Sequence, residues 1–135
     1  MSFVVDCSVA ARWLLSDEAT AYTDAVFERL NGEDAVVPAL FVSELANVFL
    51  KLSRRRLLSP EVAAEAVQKI AALGLEVDHT PPASDRLFHL AAQYGLCAYD
   101  ATYLELALRR GLPLACWDGG LQAAAEKAGL YLTAS

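Results

Sequence analysis

The stretch Phe3-Val4-Val5-Asp6-Cys7-Ser8-Val9-Ala10 decides how the rest of the chain is read. Three consecutive apolar residues, two of them β-branched, form a short strand buried on both faces, as in a parallel sheet. Asp6 closes that strand, and Ser8 to Leu15 supplies a first turn or two of helix. The opening unit is therefore strand, carboxylate, helix.

Working outward, Thr20 to Leu30 forms a second helix that closes near Asn31-Gly32, and Ala35-Val36-Val37 a second strand stopped by Pro38. From Leu40 to Arg54 the apolar residues Phe41, Leu45, Val48, Phe49 and Leu52 share one helical face. Ser59-Pro60-Glu61 has an N-cap residue, a first-turn proline and an early acid in the favoured order. The helix that follows aligns Val62, Ala66, Val67, Ile70 and Leu73 until Gly74, and should pack antiparallel on its predecessor. Leu75-Glu76-Val77 reads as a third strand and Pro81-Pro82 as a break. Ser84 to Tyr94 is helix with Leu87, Phe88, Ala91 and Tyr94 inward, stopped at Gly95. Asp100 to Arg110 is helix, Leu114 to Trp117 a fourth strand, Gly119 to Ala128 a short helix, and Tyr131-Leu132-Thr133 a fifth strand. Strand and helix alternate throughout, which predicts a three-layer α/β/α sandwich around a short, mostly parallel five-stranded sheet. With no linker, repeat or low-complexity stretch, residues 1–135 are expected to form one domain.

Composition narrows the class. No apolar run approaches the roughly 18 residues a membrane span requires, and no basic leader precedes the first strand, so a cytoplasmic protein is expected. Cys7, Cys97 and Cys116 make no C-x-x-C pair, and an odd count fits reduced thiols. An apolar fraction of 56% and a mean hydropathy of +0.32 are high for a solitary domain and point to a covering partner chain. The net charge of −6 is the wrong sign for gripping nucleic acid through bulk charge. If four acids bind a cation, the remainder stands at only −2.

Those four are Asp6, Glu44, Asp100 and Asp118. In an open parallel sheet, ligands gather beyond the carboxyl ends of the strands. Asp6 ends the first strand, Asp118 follows the fourth, Asp100 begins a helix, and Glu44 lies one turn into the helix after the second strand. Each aspartate alone is explained as a helix N-cap, and Glu44 alone as a half-exposed helix acid. As a set they repel one another, and shared protons or a bound divalent ion resolve that repulsion. Without histidine or thiolate at ligand spacing, the donors are hard oxygens suited to Mg²⁺, with Mn²⁺ as a substitute.

Val4 to Ala10, Pro38 to Asn47, Tyr99-Asp100-Ala101-Thr102-Tyr103-Leu104 with Leu106-Ala107, and Gly111-Leu112-Pro113-Leu114 leading to Asp118 occur in an order and spacing that resembles the PIN-domain family. Within it the chain is most similar to VapC-type toxin ribonucleases of toxin-antitoxin modules. The resemblance implies that Asp6, Glu44, Asp100 and Asp118 are metal-binding catalytic acids supported by Ser8 and Asn47. It further implies a Mg²⁺-dependent endoribonuclease leaving a 5′ phosphate and a 3′ hydroxyl, a homodimer, and inhibition by a cognate antitoxin protein. Cys116 departs from the pattern, which often places threonine or serine there; a thiol is a weak donor to the neighbouring acids.

Other residues have competing explanations. Lys51, Arg54, Arg55 and Arg56 end the Glu44 helix, where they either lead RNA toward the acids or complement the helix dipole, and Arg12 is a further candidate RNA contact. His79 and His89 read as structural or solvated, and Trp13, Trp117 and the tyrosines as packing residues. A zinc site would require the three cysteines to converge. Two rival functions follow. An aspartyl-phosphate phosphatase could use Asp6 as nucleophile, but Ser8 occupies the place of its acid-base partner. A catalytically silent PIN-fold module that binds protein or RNA would keep the fold without the chemistry.

Overall fold

The structure, a computed structural model, describes residues 1–117 and 119–133. Its strands are β1 (Ser2–Val5), β2 (Asp34–Pro38), β3 (Glu76–Asp78) and β4 (Leu114–Ala115). Its helices are α1 (Cys7–Arg12), α2 (Ala21–Arg29), α3 (Leu40–Arg54), α4 (Pro60–Ala71), α5 (Ser84–Tyr94), α6 (Ala98–Arg110) and α7 (Gly119–Lys127). The sheet order is β3-β2-β1-β4 and every pairing is parallel.

Alternation along each strand sorts the core into two halves. Phe3, Val5, Ala35, Val37 and Ala115 face a cluster with Val9, Val26, Phe41, Phe49 and Ile70 from α1 to α4. Val4, Val36, Leu114 and Cys116 face a second cluster with Leu90, Leu104, Leu106, Leu121 and Ala125 from α5 to α7. Helices therefore cover both faces, as the α/β/α expectation requires, and the central stretches Phe3 to Val5 and Ala35 to Val37 are accordingly apolar at every position.

The expected fifth strand is a correction. Tyr131 forms only an isolated parallel bridge to Leu114, held by Leu114 N to Leu130 O (2.7 Å) and Leu132 N to Leu114 O (2.9 Å). Because β4 is itself two residues long, it offers too little ladder for a neighbour to extend. The sheet thus has four strands among the described residues.

Helix ends follow local chemistry. Ser59 accepts from Val62 N and Pro60 opens α4, as expected. Gly95 terminates α5 with φ 67°, a left-handed conformation that a side chain disfavours. The buried side of α4 is made of Ala63, Ala66 and Ile70, whereas Val62 and Leu73 are exposed. Phe88, read as inward, is 69% exposed, and Leu90 fills the core from α5 instead. Ala66, Val67 and Ile70 of α4 and Leu87, Ala91 and Tyr94 of α5 pack on the core as expected, so only the margins of each apolar face differ, which periodicity alone fixes poorly.

Candidate active site

Asp6 stands where β1 hands over to α1. Its backbone still belongs to the sheet, with Asp6 N donating to Ala115 O at 3.0 Å. Its side chain caps α1: Oδ1 accepts from Val9 N at 3.2 Å and from the Ser8 hydroxyl at 2.7 Å. The N-cap explanation is thus correct as geometry, and Ser8 supports Asp6 directly. Yet Asp6 is only 8% exposed, and burial pushes its pKa up to about 6 despite both donors. Asp100 and Glu44 add to the rise through their negative charge.

Glu44 projects from α3, one turn after β2. The phenol of Tyr103, from α6, donates to its Oε1. Desolvation raises the Glu44 pKa, the Tyr103 bond opposes that, and Asp100 raises it further. Tyr103 is 2% exposed, and burial together with Glu44 pushes its own pKa well above the ordinary phenol value, so it stays a donor. It is a positioning residue that the spacing argument missed. The available signal was its place three residues after Asp100, on the same helix face.

Asp100 lies in the first turn of α6, and the cap of that helix is Cys97, whose Sγ accepts from Asp100 N at 3.5 Å. Asp100 is therefore not a capping residue, and its carboxylate is left for other work. The thiols nearby are inert: burial and the charges of Glu44 and Asp6 push Cys7 up to about 12, and burial with Asp6 and Asp100 raises Cys116 further. Asp118, the fourth expected acid, lies outside the described residues.

Three carboxylates from three elements thus act on one another at the carboxyl end of the sheet. Among the described residues, no three histidine, cysteine, aspartate or glutamate side chains meet at metal-ligand spacing as placed. Asp6 is turned toward Ser8 and Val9, and Glu44 toward Tyr103. The donor chemistry nonetheless fits a hard divalent cation, since the groups that act on Asp6 include two further acids and no base.

Two hollows flank the acids. One joins Glu44 with Asn47, Lys51, Leu40 and Tyr99; the other joins Ser8 with Arg12, Lys51 and Arg55. Lys51 borders both. Arg12 also donates to Ser8 O at 2.8 Å. Arg54 and Arg56 border neither hollow; Arg54 ends α3, and Arg56 takes the left-handed conformation just after it, with φ 60°. His79 and His89 are exposed; of the aromatic residues expected to pack, Trp13 meets Phe27 and Tyr22 stacks on Trp117 and Tyr131, whereas Tyr99 is exposed.

Comparison with known proteins agrees with this architecture. The family description PIN domain matches residues 3–127. No curated protein sequence matches the chain. The fold is similar to the crystal structure of PAE2754 from Pyrobaculum aerophilum, with a TM-score of 0.71 and 24% identity over 92% of this chain and 79% of that one. At that identity the likeness concerns the fold alone. PIN domains are generally nucleases and generally use divalent metal ions. With 3–127 of its residues matched and the parallel α/β/α architecture in place, the chain belongs to the PIN-domain family.

Proposed function

We propose that this PIN domain is a Mg²⁺-dependent endoribonuclease, the toxin of a toxin-antitoxin pair. The observation that carries the reading is the convergence of Asp6, Glu44 and Asp100, from the β1–α1 junction, α3 and α6, within electrostatic reach of one another. These residues, with Asp118, would hold the divalent ion. Bound there, the ion would lower the pKa of a water and stabilise charge on the leaving 3′ oxygen.

The chain's own residues supply the rest. Ser8 and Val9 N fix one oxygen of Asp6, and Tyr103 fixes one oxygen of Glu44, so each acid keeps its second oxygen for a ligand. Arg12, Lys51 and Arg55, against the single acid Glu18 on the same lining, give an otherwise acidic protein a locally positive cleft beside Ser8. That arrangement answers the unfavourable net charge: cations border the track, and acids occupy the ion's place. The exposed apolar residues Val42, Leu50, Leu57, Val62 and Leu73 on and between α3 and α4 support a homodimer or an antitoxin contact. Among the described residues, no helix is long and apolar enough to cross a membrane.

A second reading, a silent PIN-fold binding module, draws on Cys116 and on the lack, among the described residues, of three histidine, cysteine or acidic side chains at direct metal-ligand spacing. One experiment separates the two. Purified protein is incubated with mixed structured RNAs in Mg²⁺, in Mn²⁺ and in chelator, with Asp6→Asn alongside. Metal-dependent cutting that the variant lacks supports the enzyme. Equal cutting by the variant sinks the assignment, and the absence of both cutting and Mn²⁺ binding favours the silent module.

A further inference from the structure

Beyond the carboxyl ends of β2 and β3, beside the acids, the surface carries a half-open pocket of about 320 Å³. Pro38, Leu40, Pro82, Leu87 and Leu106 make it largely apolar. Its charged lining groups are already matched to one another. Arg109 Nε donates to Glu105 at 2.7 Å, and its two terminal nitrogens donate to Asp78 at 3.2 and 3.1 Å. At the mouth stands Tyr99, a large aromatic that is 65% exposed although it directly precedes Asp100.

This pocket adjoins the candidate active site. Leu40 and Tyr99 also border the hollow that holds Glu44, Asn47 and Lys51, and Lys51 borders the cleft of Arg12 and Arg55. Neighbouring hollows therefore lead from cations, past Glu44, to an apolar pocket with an aromatic edge. That order of chemistries is the order in a nucleotide, where an anionic phosphate is joined to a flat base with a polar rim. Volume points the same way, because roughly 300 Å³ is the lower end of small-ligand pockets and suits one planar ring system.

We propose that the cavity holds a nucleobase of the RNA strand, with Tyr99 stacked on its face, so that this pocket sets the base preference next to the cut. The inference rests on the RNA-cleaving reading above and names where its sequence selectivity would reside. Stacking on an exposed tyrosine tolerates any base, whereas His79 and Thr80 on the lining offer an imidazole and a hydroxyl for the base's polar edge.

The test has a binding arm and a cleavage arm. The four nucleoside 5′-monophosphates are titrated to millimolar concentration into the wild type, Tyr99→Phe, Tyr99→Ala and Ala98→Phe, following the amide resonances of Thr80, Leu87 and Leu106. We expect one or more nucleotides to shift these amides, Tyr99→Phe to retain the response, Tyr99→Ala to weaken it about tenfold, and Ala98→Phe, which fills the chamber, to remove it. No shift with any nucleotide, or shifts that ignore all three substitutions, overturns the pocket. So does Tyr99→Ala altering the sedimentation state while nucleotide binding stands, which would give the cavity to a second copy of the chain. In the cleavage arm, single abasic positions are scanned along a cut oligoribonucleotide. The wild type should show one position near the cut where base loss lowers kcat/KM about tenfold, and Tyr99→Ala should be indifferent to it. Nucleotide binding without any cleavage removes the enzyme reading and keeps the cavity. Cleavage with no nucleotide response does the reverse.

Discussion

Asp6 places function against stability in one side chain. Its folded pKa of about 6 lies above the ordinary aspartate value of 3.8, chiefly because it is buried. A group shifted in this direction favours the fold while protonated: the contribution is full below about 3.8 and is lost as pH rises through about 6. At neutral pH the ionised carboxylate therefore costs the metal-free protein about 3 kcal/mol, from a shift of roughly two pKa units. Asparagine keeps an oxygen for Ser8 and Val9 N but carries no charge. We expect Asp6→Asn to melt higher than the wild type at neutral pH without metal, and the gap to close near pH 4. Melting curves across that pH range check this, and a variant less stable at neutral pH would contradict it. Tyr103→Phe tests the other anchored acid. The ring still fills its space, but Glu44 loses the donor that lowers its pKa. A loss of roughly 1 to 2 kcal/mol in denaturant unfolding is expected, with the pH midpoint of Mn²⁺ binding displaced upward. An unmoved midpoint would make Tyr103 a packing residue only.

At the scale of elements, α3 and α6 carry the site, and their ends explain what was legible in the sequence and what was not. The apolar stripe of Phe41, Leu45 and Phe49 announced α3 and the face it buries, because burial on one side imposes a period of 3.6. How α3 ends was hidden. Arg55 is the C-cap, Arg56 is left-handed, Arg56 N donates to Ser53 O at 3.0 Å, and Leu57 N donates to Leu52 O at 2.9 Å. This is the pattern that glycine ordinarily closes, so nothing in the arginine run announced it. Arg56→Gly should therefore stabilise the protein by about 1 kcal/mol without weakening RNA binding, as measured by urea unfolding and filter binding. A fall in RNA affinity would restore Arg56 to the contact set. The start of α6 was obscured likewise, since cysteine is not an expected cap and Asp100 is. Asp6, Glu44 and Asp100 could be nominated because strand ends and helix starts are local features. The Tyr103 bond to Glu44 spans 59 residues of sequence, so the helical spacing from Asp100 could place Tyr103 near the acids but not name its partner. The fifth strand failed for a related reason: its composition is strand-like, but the partner β4 is only two residues long.

For the whole molecule, the proposed activity raises the question of how a chain of net charge −6 would attract an anionic polymer. Asp6, Glu44 and Asp100 concentrate negative charge at one end of the sheet, and an ion bound there would neutralise much of it. By mass action, Mn²⁺ at a hundred times its dissociation constant stabilises the fold by about 2.7 kcal/mol. For a domain of this size that raises Tm by on the order of 10 °C. The wild type should show this rise and Asp6→Asn should not; equal rises would place the ion elsewhere. On the proposed function, attraction of RNA would then fall to the cleft of Arg12, Lys51 and Arg55. Each phosphate they neutralise releases counterions, giving a slope of roughly −0.7 in log affinity against log salt for single strands. If all three engage phosphates, replacing them together by glutamine should flatten that slope by about 2. Metal-induced stabilisation should survive, because none of the three is a carboxylate. An unchanged slope would mean that RNA reaches the acids by another face, and loss of the Mn²⁺ response would mean that the cations hold the acids in place rather than the substrate.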